Sequence, residues 1–116
     1  MKPKSADDQW GLSEEVQTQL RNCFHAEPKI QRVFLFGSRA MGNYKLGSDI
    51  DLALDAPEMS FNEWLAFQLK LDELLLAYKI DTILLHFVDQ NDLKEHIHRV
   101  GVVFFERGCG SSGTLS

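Results

Sequence analysis

The sequence has 116 residues, a formal net charge of −5 and a composition that is 44% hydrophobic, 25% charged and 10% aromatic. These values exclude collagen, coiled coil and fully disordered chains, and the length suits a single domain with one core. The excess of acid argues against strong autonomous binding of nucleic acid through a broad basic surface, while a small phosphate site remains compatible with it.

Cysteine content and the lack of apolar runs favour a cytoplasmic protein. Cys23 and Cys109 are too few for a disulfide framework and have no metal-binding spacing, so we expect two unpaired thiols. The first residues lack the apolar run of a signal peptide, and no stretch approaches the about eighteen apolar residues of a membrane span. We therefore expect a reducing cytoplasm and no membrane partner.

The first predicted elements are a helix and a strand. Residues 1–12 are polar and predict a flexible N-terminal segment that docks at Trp10. Ser13 is a candidate N-cap, and the apolar spacing after it predicts a helix that ends near Ala26. Ile30–Phe36 then predicts a strand that is covered on both faces.

A glycine-rich turn and a second strand follow, and after them comes the segment with the strongest helical pattern in the chain. Gly37–Gly42 interrupts the first strand, and Asp49–Leu54 alternates acid or small residues with aliphatic ones, which predicts a strand that Pro57 ends. Ser60 and Glu63 form a capping-box pattern ahead of the helix. The apolar positions that we expect this helix to pack on a sheet are Trp64, Leu65, Phe67, Leu71, Leu74, Leu75 and Tyr78.

The last predicted elements are a strand, a short helix and another strand. Ile80–Phe87 is aliphatic and predicts a third strand, Asp89 is expected to cap a helix that ends near Arg99, and Val102–Phe105 predicts a fourth strand. We expect an α/β (α+β) domain with a mixed sheet and with helices on one side of it.

The predicted domain organisation has three parts. Residues 13–107 form the folded domain, between the flexible segment at 1–12 and a disordered tail at 108–116, which is rich in Gly and Ser. The site is expected at the edge of the sheet near Gly37.

A turn and a group of acids carry the candidate chemistry. Gly37 and Ser38 end an apolar strand, and glycine lets a ligand approach the backbone closely while the hydroxyl adds a donor. Asp49 and Asp51 project to the same strand face, where two carboxylates repel each other unless a cation binds between them. Asp81 joins the same cluster if its strand lies beside theirs.

Each of these features also has an ordinary structural interpretation. A Gly-Ser pair alone is typical of any tight turn, and two acids alone are typical of a solvated strand face. Asp81 taken by itself is equally an acid at the entry to a strand. The combination within a short stretch of chain is what favours a phosphate and metal site.

These residues resemble a known family. The Gly37–Gly42 turn, the loop at 43–48 and Asp49–Leu52 are similar to the polymerase β-type nucleotidyltransferases, and more narrowly to the minimal nucleotidyltransferase (MNT) domains of prokaryotes. The segment His96–Glu106 is similar to the helix and strand that end these small domains. The resemblance covers residues 30–106 and implies the polymerase β-type nucleotidyltransferase fold.

The resemblance also implies the chemistry. Asp49, Asp51 and Asp81 would be catalytic and would bind two Mg²⁺ ions, which stabilise the entering and the leaving oxygens during displacement at the α-phosphate. The acid Asp81 would complete the metal site on the acceptor side and help to draw the proton from the attacking hydroxyl.

Nucleotide binding is implied for a second group of residues. Gly37 and Ser38 would hold the β- and γ-phosphates of a nucleoside triphosphate such as ATP, with Arg39 and Ser48 contributing to nucleotide binding. Family members commonly have a basic residue where this chain has Met41, so one phosphate contact of the family is absent here.

Three functions are compatible with the resemblance. The first is an enzyme that transfers a nucleoside monophosphate, AMP from ATP, to a hydroxyl on a partner protein or another acceptor and releases pyrophosphate. The second is an antitoxin-like regulatory module, since small family members are often encoded beside a helical HEPN-domain partner and form hetero-oligomers with it. The third is transfer to a small molecule such as an aminoglycoside, for which the partner would have to supply the acceptor site.

Overall fold

The computed structural model describes residues 10–42, 44, 49–75, 78–89 and 91–107. The predictions for residues 1–9 and 108–116, including Cys109, lie outside this part of the chain. In the described residues the helices are α1 (Glu14–Ala26), α2 (Ser38–Met41), α3 (Phe61–Leu74) and α4 (Asn91–Val100), and the strands are β1 (Arg32–Phe36), β2 (Ile50–Asp55), β3 (Ile80–Leu84) and β4 (Val102–Glu106). No helix within these ranges has the length and apolarity needed to cross a membrane.

The four strands form one mixed sheet in the order β3-β2-β1-β4. Strand β1 is antiparallel to both β2 and β4, whereas β2 and β3 are parallel. The predicted mixed sheet of an α+β domain is therefore confirmed, and β1 and β2 are its central strands.

Helices α1 and α3 cover one face of the sheet and enclose the core. Phe24 of α1 packs against Phe67 of α3 with 5.8 Å between ring centroids. The sheet contributes side chains that alternate along each strand and are fully buried: Val33, Leu35, Ile50, Leu52 and Leu54. Each such aliphatic side chain contributes about 1.5–3 kcal/mol through removal of apolar surface from water.

Helix α4 packs on the opposite face, so the expectation of helices on one side only was wrong. His96 meets the ring of Phe36 edge-on at 6.3 Å, and Ile97 is buried outside the main core. The topology gives the reason: β3 and β4 lie at opposite edges of the sheet, and the segment that joins them must cross a face that α1 and α3 leave uncovered.

The packed part of the described chain begins at Trp10 rather than at residue 13. The Trp10 ring lies 5.7 Å from that of Phe104, and Leu12 is fully buried in the core. The side-chain amide of Gln17 donates to the Leu12 carbonyl at 2.8 Å, which anchors the segment to α1. Trp10 is therefore a docking point, as predicted, and the end of the predicted flexible segment is part of the fold.

The helix starts follow the predicted caps. Ser13 accepts a hydrogen bond from the N–H of Val16 at 3.2 Å. The Ser60 hydroxyl accepts from the Glu63 N–H at 3.2 Å, and the Glu63 carboxylate accepts from the Ser60 N–H at 2.8 Å. The capping box is confirmed.

Several element boundaries differ from the predictions, and β1 begins at Arg32 instead of Ile30. Strand β3 ends at Leu84, and Leu85–Phe87 form a turn of 3-10 helix, because an aliphatic run does not by itself mark where strand pairing stops. Helix α4 is described from Asn91 onward, so the predicted cap Asp89 stays a prediction. Residue 90 lies outside the described ranges.

The apolar stripe of α3 is only partly buried. Phe67, Leu71 and Leu75 belong to the core, whereas Leu65 remains 41% exposed and Leu74 42% exposed. The stripe is broader than the surface that the sheet covers, and its breadth, as expected from the sequence, leaves apolar surface that a partner could cover.

Candidate active site

The turn after β1 fits only glycine. Gly37 has φ 81° and ψ −158°, a backbone conformation that residues with a side chain avoid. A Cβ atom built on Gly37 would collide with the carboxylate of Asp51. The missing side chain therefore allows the turn to lie directly against an acid of the neighbouring strand, a contact that the sequence pattern does not predict.

The sheet brings the strand acids to one face. Asp51 is the register partner of Phe36 in β1 and of Asp81 in β3. Neighbouring strands lie about 4.8 Å apart and paired residues project to the same side, so Asp51 and Asp81 are adjacent. Asp49 directly precedes the first residue of β2. Because side chains alternate along a strand, Asp49 shares the face of Asp51, which α4 covers in part. The expected neighbourhood of the two acid-bearing strands is confirmed.

The acids interact electrostatically. Burial raises the pKa of Asp51 above its ordinary value, and the charges of Asp81 and then Asp49 raise that pKa further. The Arg39 guanidinium acts in the opposite direction. Repulsion among the three carboxylates is therefore felt at Asp51, and a bound cation would relieve it.

The donor set fits a divalent cation that shares its ligands with a substrate. Within the described ranges, no three acidic, histidine or cysteine side chains are arranged to enclose one ion by themselves. Mg²⁺ usually keeps several waters and takes only one or two carboxylates together with substrate phosphates. Hard oxygen ligands on adjacent strands meet that requirement, and the turn at Gly37 leaves room beside them.

The predicted nucleotide-binding residues have different surroundings. Ser38 begins α2 and is half-buried, whereas Met41 at the end of α2 is 48% exposed. Arg39 is only 3% exposed, and it donates to backbone carbonyls of the N-terminal segment instead of facing solvent. Ser48 lies outside the described residues.

A groove of about 500 Å³ follows β3 and α3 next to the acids. Asp81 lies on its rim, and Trp64, Gln68 and Tyr78 contribute to its walls. The indole of Trp64 donates to the Thr82 hydroxyl at 2.8 Å, which fixes the ring against the edge strand. Sequence reasoning placed Trp64 and Tyr78 in a packing stripe, and no local pattern marks them as neighbours of an acid.

A larger cavity of about 770 Å³ lies between α4 and the sheet face that carries the acids, but at a distance from the acids. Arg32 and Asp55 line it and form an ion pair at 3.0 Å, at the ends of β1 and β2 that are remote from Gly37. Size alone would favour this cavity. The clustered carboxylates and the strained turn identify the other end of the strands as the candidate active site.

Comparison with known proteins gives the family. The model described as "Polymerase beta, Nucleotidyltransferase" matches residues 18–108. The chain therefore belongs to the polymerase beta nucleotidyltransferase family. No curated protein sequence matches it significantly.

Solved structures with the same fold include components of toxin-antitoxin complexes. One is a toxin-antitoxin with AMP-PNP, with a TM-score of 0.67, 21% identity, and 83% of this chain and 77% of that chain covered. Another is a tri-AMPylated Shewanella oneidensis HEPN toxin in complex with MNT antitoxin, with a TM-score of 0.63, 19% identity, and coverage of 85% and 76%. A third, the toxin-antitoxin MntA-HepT, has a TM-score of 0.63, 20% identity, and coverage of 86% and 78%.

Proposed function

We propose that this chain is a Mg²⁺-dependent enzyme of the cytoplasm that transfers AMP from ATP to a hydroxyl on a partner protein. The observation that carries the proposal is the contact between the Gly37 turn and Asp51, with Asp81 beside it on the next strand. This arrangement supports a phosphate site and a cation site side by side. Membership of the nucleotidyltransferase family supports the same chemistry in general form.

The metal ligands in this proposal are Asp49, Asp51 and Asp81. When bound there, two Mg²⁺ ions would neutralise phosphate charge and stabilise the entering and the leaving oxygens. Burial, and then the charges of Asp81 and Asp49, raise the pKa of Asp51, so the protein holds these carboxylates together at an electrostatic cost that a cation offsets.

The remaining chemistry belongs to residues of this chain. The backbone at Gly37 and the hydroxyl of Ser38 orient the β- and γ-phosphates. The acceptor oxygen forms a bond to the α-phosphorus, the bond from that phosphorus to the bridging oxygen breaks, and its electron pair leaves with pyrophosphate. Asp81, the most exposed of the three acids, receives the proton of the attacking hydroxyl.

The acceptor in this proposal is a helical protein of the HEPN class. The support is that one structural neighbour is a complex with a tri-AMPylated HEPN toxin, and that another contains AMP-PNP. Asp81 is exposed on the edge strand β3, which supports access by an acceptor from another chain.

The test is transfer of labelled AMP from ATP in the presence of Mg²⁺ to a co-purified HEPN partner. Changing Asp49→Asn together with Asp51→Asn is expected to lower the transfer rate by more than about 100-fold, since both proposed metal ligands lose their charge. Asp55→Asn is the matched control, because Asp55 occupies the same strand and pairs with Arg32 instead. Equal labelling by the double variant and the wild type would disprove the proposed chemistry.

A second candidate function is an antitoxin-like binding module with little or no catalysis. The observation in its favour is an exposed apolar row on α3, formed by Phe61, Leu65 and Leu69 at helical spacing, which are 51%, 41% and 63% exposed. Phe87 extends this row, with its ring 6.3 Å from that of Phe61. A stable complex with a HEPN partner that incorporates no AMP would favour this function over the enzyme.

A further inference from the structure

Arg39 is a buried cation that contacts a distant part of the chain. Its side chain is 3% exposed, and Nη1 donates to the carbonyl oxygens of Trp10 at 3.0 Å and Gly11 at 3.4 Å. A guanidinium removed from water is costly unless its donors are satisfied, so these hydrogen bonds fix the N-terminal segment against α2.

Two tyrosine rings pack against the same guanidinium. The Arg39 Cζ atom lies 5.4 Å from the ring centroid of Tyr44 and 5.8 Å from that of Tyr78. Both distances are within the range in which a guanidinium is attracted to an aromatic face. Tyr44 belongs to the stretch of sequence that leads to Asp49, and Tyr78 to the one that leads to Asp81.

We propose that Arg39 is a positioning residue that joins the turn carrying Ser38 to Tyr44 and Tyr78, which precede Asp49 and Asp81 in the sequence. The proposal rests on the proposed function, because those residues are the proposed phosphate and metal ligands. It replaces a direct phosphate contact by Arg39, which the family resemblance implied.

The packing around Gly11 supports a rigid arrangement. Gly11 has φ 74°, and a Cβ atom on it would lie 2.8 Å from Nη1 of Arg39 and 2.5 Å from the Tyr44 ring. The Gly11 backbone, the Arg39 guanidinium and the Tyr44 ring are therefore closely packed, with no room for a side chain at position 11. A phosphate could reach the guanidinium only if this arrangement opened.

The chemistry of arginine explains the choice of residue. Its planar group donates in several directions and stacks on aromatic faces, whereas the lysine ammonium is compact and strongly hydrated. Arg39→Lys is therefore expected to keep the positive charge near Asp51 and to lose much of the stacking.

The first experiment is hydrogen–deuterium exchange of Arg39→Met, Arg39→Lys and the wild type. In Arg39→Met, exchange is expected to increase by about tenfold or more in peptides that contain Trp10–Leu12 and Tyr78–Thr82, with a smaller increase in Arg39→Lys. Arg99→Met is the control, because Arg99 is an exposed arginine of α4. Unchanged exchange in Arg39→Met would overturn the proposal.

The second experiment measures AMP transfer by the same variants. A positioning role predicts that Arg39→Met lowers kcat by roughly 10- to 100-fold while the KM for ATP changes little, and that Arg39→Lys recovers part of the loss. A raised KM with an unchanged kcat would indicate a phosphate contact and would overturn the proposal. Unchanged kcat and KM despite increased exchange would also overturn it, since Arg39 would then be structural only.

A second set of variants applies if Arg39→Met fails to fold. Tyr78→Leu removes one stacking ring and is expected to increase exchange at the start of β3 and to lower kcat, whereas Tyr78→Phe keeps the ring and is expected to leave both unchanged. Equal behaviour of the two variants would overturn the proposal. If the wild type transfers no AMP, the proposed function fails. The role of Arg39 is then decided by hydrogen–deuterium exchange of the same variants and by their binding of Mg²⁺ and AMP-PNP.

Discussion

At Gly37, two independent constraints act on one residue. The positive φ demands glycine for the backbone, and the Asp51 carboxylate occupies the space where a Cβ atom would lie. The first constraint concerns stability, because a side chain there adds strain to the turn. The second concerns the site, because a side chain there displaces an acid.

These two effects can be separated with Gly42. Gly42 has φ 85°, yet a Cβ atom built on it meets nothing within 4 Å. Gly42→Ala is therefore expected to lower the free energy of unfolding by about 1–2 kcal/mol and to leave AMP transfer intact. Gly37→Ala is expected to lower it by a similar or larger amount and to abolish most transfer.

Denaturant unfolding and AMP transfer measured on both glycine variants check this prediction. Full transfer activity in folded Gly37→Ala would show that the contact with Asp51 has no role in the site.

Among the elements, helix α3 shows how caps and tertiary contacts combine. Its capping box satisfies N–H groups at the first turn, and the Glu63 carboxylate also pairs with Lys29 at 2.6 Å. The hydrogen bond from Lys29, followed by that from the Ser60 backbone, lowers the pKa of Glu63. A carboxylate with a lowered pKa stabilises the folded state above its ordinary pKa, and this contribution is lost as the pH falls through the folded value.

The capping box is tested by Ser60→Ala and Glu63→Gln. Ser60→Ala is expected to reduce the free energy of unfolding by about 1 kcal/mol. Glu63→Gln is expected to be less stable than the wild type at neutral pH. The difference is expected to disappear in acid, because the wild-type carboxyl is then protonated and, like glutamine, uncharged. Thermal unfolding measured across that pH range checks both, and a difference that persists in acid would contradict the charge-based account.

The edge strand β3 limits how a partner can bind. The side-chain amide of Gln68 donates to the Ile80 carbonyl at 2.6 Å and accepts from the Thr82 N–H at 3.2 Å. Gln68 thus uses backbone groups that an added strand would need, which protects the edge from pairing. A partner on this side must therefore bind through side chains, such as the exposed row on α3.

Local signals predicted most of the elements and marked the candidate acids, and long-range packing decided the rest. Ser13 and Ser60 mark helix starts because capping depends on neighbouring residues. The surroundings of Arg39 could not be predicted, because it donates to carbonyls that lie 28 and 29 positions away in the sequence. The position of α4 depends on strand order, which hydrophobic periodicity does not encode.

For the whole molecule, the end of the last strand closes the fold onto the first helix. Nη2 of Arg107 donates to the carbonyls of Phe24 at 2.7 Å and Glu27 at 2.8 Å, and Nε donates to Ile30 at 2.9 Å. The Phe24 and Glu27 carbonyls lie at the end of α1, and each also accepts a backbone N–H, from Glu27 and Ile30 respectively. One side chain thus joins segments that are 77 to 83 positions apart in the sequence.

Arg107→Ala is expected to lower the free energy of unfolding by about 2–3 kcal/mol, because partly buried carbonyls lose a charged donor. Arg107→Lys is expected to recover only part of this, since an ammonium cannot reach several carbonyls in the same way. The matched control is Arg32→Ala, which removes an ion pair on a half-exposed side chain and is expected to cost less than about 1 kcal/mol.

Urea unfolding at constant pH measures all three variants. The slope with urea concentration is expected to stay the same while the midpoint falls, because the same surface is exposed on unfolding. AMP transfer by Arg107→Ala below its unfolding transition is expected to match the wild type, because Arg107 and Arg32 lie at the end of the strands that is remote from Gly37. A loss of transfer in fully folded Arg107→Ala would show that the two ends of the sheet are coupled, contrary to the separation of stability and chemistry that this fold implies.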